Sequence, residues 1–595
     1  MNAPDPNTRI LHDTPAPGGA TGSVWGSDAI ALMLRELDIP YLALNPGASY
    51  RGLHDSIVNH LGNASPQMLL CLHEESAVAI AHGYARASDR MMGAVLHSNV
   101  GLMHGSMAIF NAWCDRVPML ILGATGPLDA AKRRPWIDWI HTVSDQGALV
   151  RDFTKWDNTP GSVPAAYEAL LRAAQIANTA PRGPVYVNLD ASLQEAKLDV
   201  LPPLPDARRF AAGAPPRPDR NAIGEAAALL SNAKRPAIVM GRTTRSLEAW
   251  RDRVALAEKL QAYVFSDIKV PAAFPTEHPL HAAPPGSFLS TDAMTLMRQA
   301  DVVLGLNCID LGGTLKQAWG KDPITAKVIN VSVDQYSHRG FGAEYQVLSP
   351  ADVLILCEPE QAVPELLAAV SARPKAAPLP PFVLPAPSTE HVTIQNVALA
   401  LDAATRGLDV CLTRVPLGWH GAYRHFRHPL DYLGSDGGGG LGHGPGATVG
   451  AALALKGTGR IPVGLVGDGD FLMGVTALWT AAHYHIPMLQ IVCNNRSFFN
   501  DELHQERVAK ERGRPVENRW IGQRISEPDI DLAAMARAQG AQGIGPVNDP
   551  RALPAAIEQG IDLVMKGHPC VIDARVLPGY DSNMSGAPAS HGSRR

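Results

Sequence analysis

The chain has 595 residues, too many for a single hydrophobic core, and this length predicts three or four domains. Its 52 basic and 57 acidic residues give a net charge of -5 without any block of like charge, which argues against nucleic-acid and membrane-surface partners and favours small molecules. The chain has no long apolar run and no pattern of a secretory signal, and its seven cysteines are scattered singly, so we expect a cytoplasmic protein with reduced thiols.

Short β-branched runs alternate with alanine-rich helical stretches along the whole chain. Two proline-rich stretches, 201–220 and 372–390, divide this pattern into three parts. The alternation predicts an α/β fold of three doubly wound parallel-sheet domains, at 24–198, 215–370 and 390–580, between mobile segments at 1–23 and 581–595. The clearest strand runs are MGAVLHS, PMLILGA, PVYVNL, PAIVMG, DVVLGLN, KVINVSV, PVGLVGD and LQIVCNN.

Three segments of the first domain place polar residues after predicted strands, where α/β proteins bind their ligands. The segment 45–57 has an NPG turn that leads into a helix, and the segment 71–88 carries Glu74 and Glu75 at the start of another. In the segment 96–113, His97 precedes a predicted glycine turn. Helix capping or ordinary packing would explain each of these residues when it is taken alone.

The predicted middle domain contains no GxGxxG fingerprint after any of its strands. This absence disfavours a nicotinamide dehydrogenase built on the same kind of sheets.

The run PVGLVGDGDFLMG (462–474) predicts a buried strand, the turn Gly467-Asp468-Gly469 and a helix. The glycines allow close approach of a ligand to the backbone, and the free amides at the start of the helix suit a diphosphate. A second strand, MLQIVCNN, ends at Asn494-Asn495. One carboxylate and one amide oxygen on adjacent strand ends suit Mg²⁺, so we predict Asp468 and Asn495 as its ligands.

The order GDG, one helix, then NN resembles the cofactor signature of thiamine diphosphate enzymes related to pyruvate decarboxylase and acetolactate synthase. The stretch ALWTAAHYHIPMLQIVCNNRSF is most similar to benzoylformate decarboxylase. The resemblance implies a pyrimidine-binding, a central Rossmann-like and a diphosphate-binding domain, with thiamine diphosphate and Mg²⁺ as cofactors. It adds the backbone oxygen of Ser497 to the metal ligands.

The glycine-rich segment GGGGLGHGPGATVGAALAL (437–455) is similar to the segment of that family that holds thiamine in its bent shape. The resemblance places the bulky apolar residue Leu441 against the cofactor, with His443 where another residue is usual. The residues that it implies as cofactor contacts are Asn45, Pro46, Gly47, Glu74, Gly440, Leu441, Gly442, His443, Gly467, Asp468, Gly469, Asp470 and Asn495.

The family's HE motif followed by GYA selects Glu74 as the carboxyl group that bonds to the pyrimidine ring of the cofactor. The same resemblance makes His97 the pocket histidine and His104 a possible proton relay in place of an asparagine. Three features depart from the family's decarboxylases. Ala48, followed by Ser49, stands where a serine contacts the substrate carboxylate. The segment 308–316 has no histidine. Additional histidines occur at His420 and His443, and either of these or His104 could restore a proton relay.

The resemblance therefore implies decarboxylation of a 2-oxo acid through a covalent enamine. The alternative is a carboligase or lyase similar to acetolactate synthase or benzaldehyde lyase, which additional imidazoles and fewer hydroxyls would favour. A cofactor-binding subunit without activity is disfavoured because Glu74, Asp468 and Asn495 are all present. The family further implies a homodimer or homotetramer with active sites between subunits, while FAD in the central domain is possible but has no motif in its support.

Overall fold

The computed structural model of the protein describes residues 13–16, 22–334, 348–375, 379–380, 382–435 and 437–579. The three main sheets are entirely parallel and each is covered by helices, which confirms the predicted fold class. Each sheet falls inside one of the three predicted domains, and the expected mobile ends lie almost wholly outside the described residues. Among the described helices, none combines the length and the apolar character needed to cross a membrane.

The first domain contains a six-stranded sheet and a small antiparallel pair of strands. The strands are β1 (Val24–Trp25), β2 (Tyr41–Leu44), β3 (Gln67–Leu70), β4 (Met92–Leu96), β5 (Met119–Thr125), β6 (Asp157–Asn158), β7 (Pro184–Asp190) and β8 (Lys197–Leu198). The sheet order is β3-β2-β4-β5-β7-β6, and β1 pairs with β8. The helices are α1 (Gly26–Glu36), α2 (Arg51–Asp55), α3 (Glu74–Ser88), α4 (Ser98–Cys114), α5 (Ile137–Ile140), α6 (Val163–Asn178) and α7 (Ala191–Gln194).

The second domain has a five-stranded sheet of Rossmann-like organisation. Its strands are β9 (Pro236–Met240), β10 (Tyr263–Ser266), β11 (Val302–Leu306), β12 (Lys327–Val331) and β13 (Val353–Ile355), in the order β10-β9-β11-β12-β13. Its helices are α8 (Arg220–Asn232), α9 (Leu247–Leu260), α10 (Thr291–Arg298), α11 (Leu311–Trp319) and α12 (Pro359–Ala369).

The third domain repeats this architecture with a different strand order. Its strands are β14 (Val410–Arg414), β15 (Ile461–Gly467), β16 (Leu489–Asn494), β17 (Gln542–Val547) and β18 (Cys570–Arg575), in the order β14-β15-β16-β18-β17. Its helices are α13 (Ile394–Ala404), α14 (His443–Leu455), α15 (Asp468–Gly474), α16 (Ala477–His483), α17 (Phe499–Glu511), α18 (Leu532–Ala538) and α19 (Leu553–Met565).

The glycine turn predicted after His97 is wrong, because helix α4 starts at Ser98 and continues through Gly101 and Gly105. These glycines allow close packing instead. A Cβ atom on Gly101 would lie 3.2 Å from Cγ of Glu74, and one on Gly105 would lie 3.1 Å from Cδ1 of Leu96. The absence of side chains at both positions therefore brings α4 against the start of α3 and the end of β4.

Helices α3 and α14 join the first domain to the third through direct backbone contact. A Cβ atom on Gly83 would lie 2.0 Å from the carbonyl oxygen of Ala447, and one on Gly450 would lie 1.9 Å from that of Ile80. Residues of both helices belong to one continuous apolar core. The glycines on the two helices are therefore a requirement of the contact between the two domains.

We predict that Gly83→Ala destabilises the protein by about 1–3 kcal/mol, because the added methyl group must displace the backbone of α14. The matched control is Gly224→Ala in α8, where nothing lies within 4 Å of the new Cβ atom and alanine favours the helix. Thermal unfolding should show a lower midpoint for the first variant and an unchanged or slightly higher one for the second. Equal midpoints for Gly83→Ala and the unchanged protein would contradict this account of the contact.

Candidate active site

The predicted metal ligands of the third domain lie together at the ends of β15 and β16. Asp468 is the first residue of α15, and Asn495 directly follows β16. The backbone amide of Ser497 donates to Oδ2 of Asp468 at 3.1 Å and to Oδ1 of Asn495 at 3.0 Å. A carboxylate oxygen and an amide oxygen thus converge on one point, although their role as metal ligands stays a prediction.

The carboxyl group of Asp468 has an electrostatic environment that suits a cation. Burial raises its pKa to about 6, although backbone amides of Gly469 and Ser497 oppose the shift. The side chain is only 3% exposed, and its hydrogen-bond partners carry no full positive charge. A divalent cation at this point would favour the ionised form, so the residues present fit a metal ion.

Asp470 holds the start of α14 against α15. Its Oδ1 accepts the backbone amides of Gly442 at 2.7 Å and Gly444 at 3.3 Å, and Nε of Arg414 lies 3.3 Å from its Oδ2. Gly442 has a φ of 91°, a conformation that a side chain disfavours. The neighbouring Leu441 remains 37% exposed, as an apolar contact for a cofactor would require.

At two further positions of the predicted cofactor segments, Gly440 and Gly469, a side chain would collide with a neighbouring residue. A Cβ atom on Gly440 would lie 2.5 Å from Cγ of Met107, and one on Gly469 would lie 2.5 Å from Cε1 of Phe498. Gly467, in contrast, has nothing within 4 Å of such an atom, so space remains beside the backbone there.

The side chain of His443 is fully buried between α3 and α14. Its Nε2 lies 2.8 Å from Nδ1 of His82, and Nε2 of His82 lies 3.1 Å from Oδ2 of Asp115. Burial lowers the pKa of His443 well below its usual value, and the neighbouring His82 and Arg414 act in the same direction. His443 is therefore neutral, and its proposed part in cofactor binding or proton transfer stays a prediction.

Glu74 is the first residue of α3 and is 7% exposed. Its Oε2 lies 3.1 Å from Nδ1 of His104, which projects from α4. The preceding His73 caps the helix, since its Nδ1 accepts the backbone amide of Glu75 at 3.1 Å. The rings of His73 and His104 stack with their centroids 5.3 Å apart. One carboxyl group thus lies beside two imidazoles.

His97 precedes α4 and forms a second polar cluster in the first domain. Its Nδ1 lies 2.9 Å from Oγ of Ser49, and its ring packs edge-on against His141 at 4.7 Å between centroids. Burial lowers the pKa of His97, and His141 adds to this effect. A Cβ atom on Gly47 would lie 2.2 Å from Cβ of His97, which explains why the NPG turn needs its glycine.

Two members of this cluster, Ser49 and His141, were not predicted as site residues from the sequence. Ser49 is 5% exposed, and its Oγ also accepts the backbone amide of Ser98 at 3.2 Å. Its position next to Ala48 was the available signal, whereas His141 lies in a stretch without a motif. Below the cluster, Nδ2 of Asn45 donates to the carbonyl oxygen of Cys71 at 3.0 Å and fixes the start of the NPG turn.

A cavity of about 1520 Å³ lies between the second and third domains. Leu441, Gly437, Gly438 and Gly439 line one part of it, so it reaches the predicted glycine-rich cofactor segment. Glu74, His97 and His104 are not among the described residues that line it. The other lining residues include Phe288, Phe382, Arg414, Trp419, His420 and His425.

A parallel sheet with an aspartate and an asparagine at neighbouring strand ends, and with a helix that starts there, is typical of α/β enzymes that hold a phosphorylated cofactor. Models of known protein families match three parts of the chain and identify the class more closely. The N-terminal TPP binding domain of thiamine pyrophosphate enzymes matches residues 24–149, the central domain matches 223–358, and the C-terminal TPP binding domain matches 416–574. The chain belongs to the thiamine pyrophosphate enzyme family, as its GDG and NN motifs predicted. It is a thiamine diphosphate-dependent decarboxylase or carboligase that acts on small molecules.

Several curated relatives share part of the sequence. Benzoylformate decarboxylase of Pseudomonas aeruginosa is 27% identical over 80% of this chain and 86% of its own length. Acetolactate synthase isozyme 1 large subunit of Escherichia coli is 25% identical over 79% and 82% of the two chains. Sulfoacetaldehyde acetyltransferase of Rhodobacter capsulatus is 34% identical, but the match covers only 44% of this chain and 43% of that protein.

A solved benzoylformate decarboxylase from Polynucleobacter necessarius has the same fold. It superposes with a TM-score of 0.77 at 20% identity, covering 94% of this chain and 99% of the other. An enzyme from Mycobacterium smegmatis described as thiamin diphosphate-dependent gives a TM-score of 0.76 at 20% identity, over 93% and 100% of the two chains. These likenesses support the fold.

We predict that thiamine diphosphate with Mg²⁺ stabilises the protein more at about pH 7.5 than at about pH 5. Since the pKa of Asp468 is raised to about 6, its carboxyl group loses its charge, and its attraction for a cation, as the pH falls through that value. Thermal unfolding with and without the ligands, at several pH values, measures the effect. Asp468→Asn should remove most of the gain at the higher pH, whereas the exposed control Asp501→Asn should keep it. An equal gain in the Asp468 variant would mean that another residue binds the cation.

Proposed function

We propose that the protein decarboxylates a 2-oxo acid with an aryl or branched side chain, using thiamine diphosphate and Mg²⁺. The observation that carries this proposal is the hydrogen-bonded pair of Ser49 and His97, which follow the paired strands β2 and β4, while Glu74 follows β3 on the other side of β2. The similarity to benzoylformate decarboxylase over most of the chain supports it. The aromatic residues Phe288, Phe382 and Trp419 in the large cavity supply apolar surface for such a side chain.

The donor set of the third domain fits the diphosphate and the metal ion. Asp468, Asn495 and the backbone oxygen of Ser497 would bind Mg²⁺, and backbone amides in the first turn of α15 would bind the diphosphate. Leu441 would support the bent cofactor. When bound, thiamine diphosphate supplies a carbon nucleophile that adds to the carbonyl carbon of the substrate and then holds the electrons of the broken bond.

Glu74 would bond to the pyrimidine ring nitrogen and so activate the cofactor. Its carboxyl group is almost fully buried and lies beside His104, which fixes its orientation. His104 is the more exposed of the two, with 54% of its side chain accessible. It is therefore the better placed of the two side chains to exchange protons with the substrate side of the site.

The environment of His97 determines which of its ring nitrogens can donate. The backbone amide of Ser49 approaches Nδ1 at 3.4 Å, and because an N–H group can only donate, Nδ1 acts as an acceptor. Burial lowers the pKa of His97 and so favours the neutral ring, whose hydrogen would then lie on Nε2. This hydrogen would bind the carboxylate of the substrate. Ser49 would thus act through His97, in place of the direct serine contact that Ala48 removes.

We further propose a homodimer in which the first domain of one chain faces the third domain of another. Large apolar side chains near the polar clusters are exposed in the single chain, among them Leu72 and Met103 in the first domain and Leu441 and Met473 in the third. Exposed apolar surface of this kind is typical of an interaction site. The resemblance to the family is what implies that the first domain of each chain pairs with the third domain of the other.

Carboligation is the second candidate, and the size of the cavity favours it. About 1520 Å³ exceeds the roughly 300–1,000 Å³ of an ordinary small-molecule pocket, so a second carbonyl compound could enter beside the first. The acetolactate synthase and sulfoacetaldehyde acetyltransferase relatives are consistent with such a transfer.

The decisive experiment offers the purified protein, with thiamine diphosphate and Mg²⁺, a panel of 2-oxo acids and acyloins. Carbon dioxide, aldehyde and acyloin are measured together, with Glu74→Gln as the inactive control. Release of carbon dioxide and aldehyde from aryl or branched 2-oxo acids is the expected result. Formation or cleavage of acyloins without aldehyde release would favour the carboligase, and no turnover of any compound would reject both substrate classes.

We predict that Ser49→Ala lowers kcat/KM for the preferred 2-oxo acid by about 10- to 100-fold, because His97 loses the partner that orients its ring. Thiamine diphosphate affinity, measured by quenching of tryptophan fluorescence, should stay within about twofold, since Ser49 is not among the predicted cofactor contacts. The companion variant Ala48→Ser adds the serine that resembles the family's decarboxylases and should keep most of the activity. Full activity of Ser49→Ala would show that the hydrogen bond to His97 has no part in turnover.

A further inference from the structure

His73, Glu74 and His104 form a cluster whose chemistry the proposed reaction does not fully use. Each can offer one ligand atom, and these atoms lie within 4.8 Å of one another. Two imidazoles and one carboxylate are the donor set that proteins use for ions such as Zn²⁺ and Fe²⁺. Mg²⁺ prefers oxygen ligands, so this set is selective for transition-metal ions.

The spacing of the cluster suits a small ion. Metal bonds of about 2.0–2.2 Å at ordinary angles hold two ligand atoms about 3 Å apart. Nδ1 of His104 and Oε2 of Glu74 are already 3.1 Å apart. The ring of His73 stacks on that of His104, with an angle of 16° between the two planes. A modest rotation of His73 would complete a three-ligand site.

The backbone fixes two of the three ligands. Glu74 is the first residue of α3, and His104 lies on α4, which the glycine at 101 allows to pack against Glu74 at close range. His73 is the adjustable member. Its Nδ1 accepts the amide of Glu75, which leaves Nε2 as the ring nitrogen that can bind an ion while this helix cap is kept. Because both histidines are exposed in the single chain, an ion can reach them from solvent.

We propose that His73, Glu74 and His104 bind a transition-metal ion such as Zn²⁺, and that this ion and thiamine diphosphate exclude one another at Glu74. Binding of the ion depends only on the three side chains. Mutual exclusion of the ion and the cofactor rests on the proposed function, since it requires Glu74 to contact the cofactor. Zinc would then act as an inhibitor that competes with the cofactor for one carboxyl group.

The test titrates the full-length protein, stripped of thiamine diphosphate and Mg²⁺, with Co²⁺ and follows visible absorption. Co²⁺ is a coloured substitute for Zn²⁺, and excess Zn²⁺ should remove the absorption band. We expect one Co²⁺ per chain, with affinity at least about tenfold lower in His73→Asn and His104→Asn. The control His60→Asn removes an exposed histidine elsewhere in the first domain and should bind like the unchanged protein. Mg²⁺ at the same concentration should not compete.

Absence of the Co²⁺ absorption band would overturn the proposed site. The site would also be overturned if neither His73→Asn nor His104→Asn lowered the affinity for Co²⁺. Both changes are at exposed positions, and circular dichroism of each variant checks that the fold is retained. Thiamine diphosphate with Mg²⁺ is then added to the Co²⁺-loaded protein, and its binding is followed by tryptophan fluorescence. Loss of the band is expected on cofactor binding. If the cofactor binds and the band persists, the metal site stands and the proposed contact between Glu74 and the cofactor is wrong.

Discussion

The backbone contact between α3 and α14 is the constraint on which the rest of the site depends. Gly83 and Gly450 let the two helices meet without side chains between them, so their relative position has little freedom. Glu74 begins one helix and His443 begins the other. The buried pair of His82 and His443 adds a polar contact within the same interface. The carboxyl group and the glycine-rich segment are therefore fixed with respect to one another by packing rather than by loops.

The two aspartates of the GDGD motif differ in what neutralises them. Asp470 accepts two backbone amides and lies beside Arg414, so a positive charge already accompanies it. Asp468 accepts the backbone amides of Gly469 at 3.0 Å and Ser497 at 3.1 Å, neither of which carries a full charge, and burial raises its pKa. A buried carboxylate without a counter-charge is costly. This difference is why Asp468 suits a metal ion, whereas Asp470 has a structural role in holding α14.

The fold could be predicted from the sequence because buried parallel strands appear there as short β-branched runs. The GDG and NN motifs follow directly at the ends of two such runs. Glycine was harder to interpret. Gly101 and Gly105 suggested a turn, but they serve helix packing, and only the neighbouring Glu74 and Leu96 reveal that purpose. The contact of His97 with His141 joins residues 44 positions apart through tertiary structure, and no local pattern signals such a pair.

The two parts of the proposed substrate site lie apart in the single chain. The large cavity reaches Leu441 and contains aromatic side chains, but Glu74 and His97 do not line it. In the proposed dimer, a substrate that extends from the cavity towards a His97 side chain would therefore meet the first domain of a second chain. In that arrangement the second and third domains would select the substrate side chain, while the partner's first domain would bind its carboxylate. Changes in the cavity could then alter substrate preference without disturbing Glu74, because the two functions would belong to different chains.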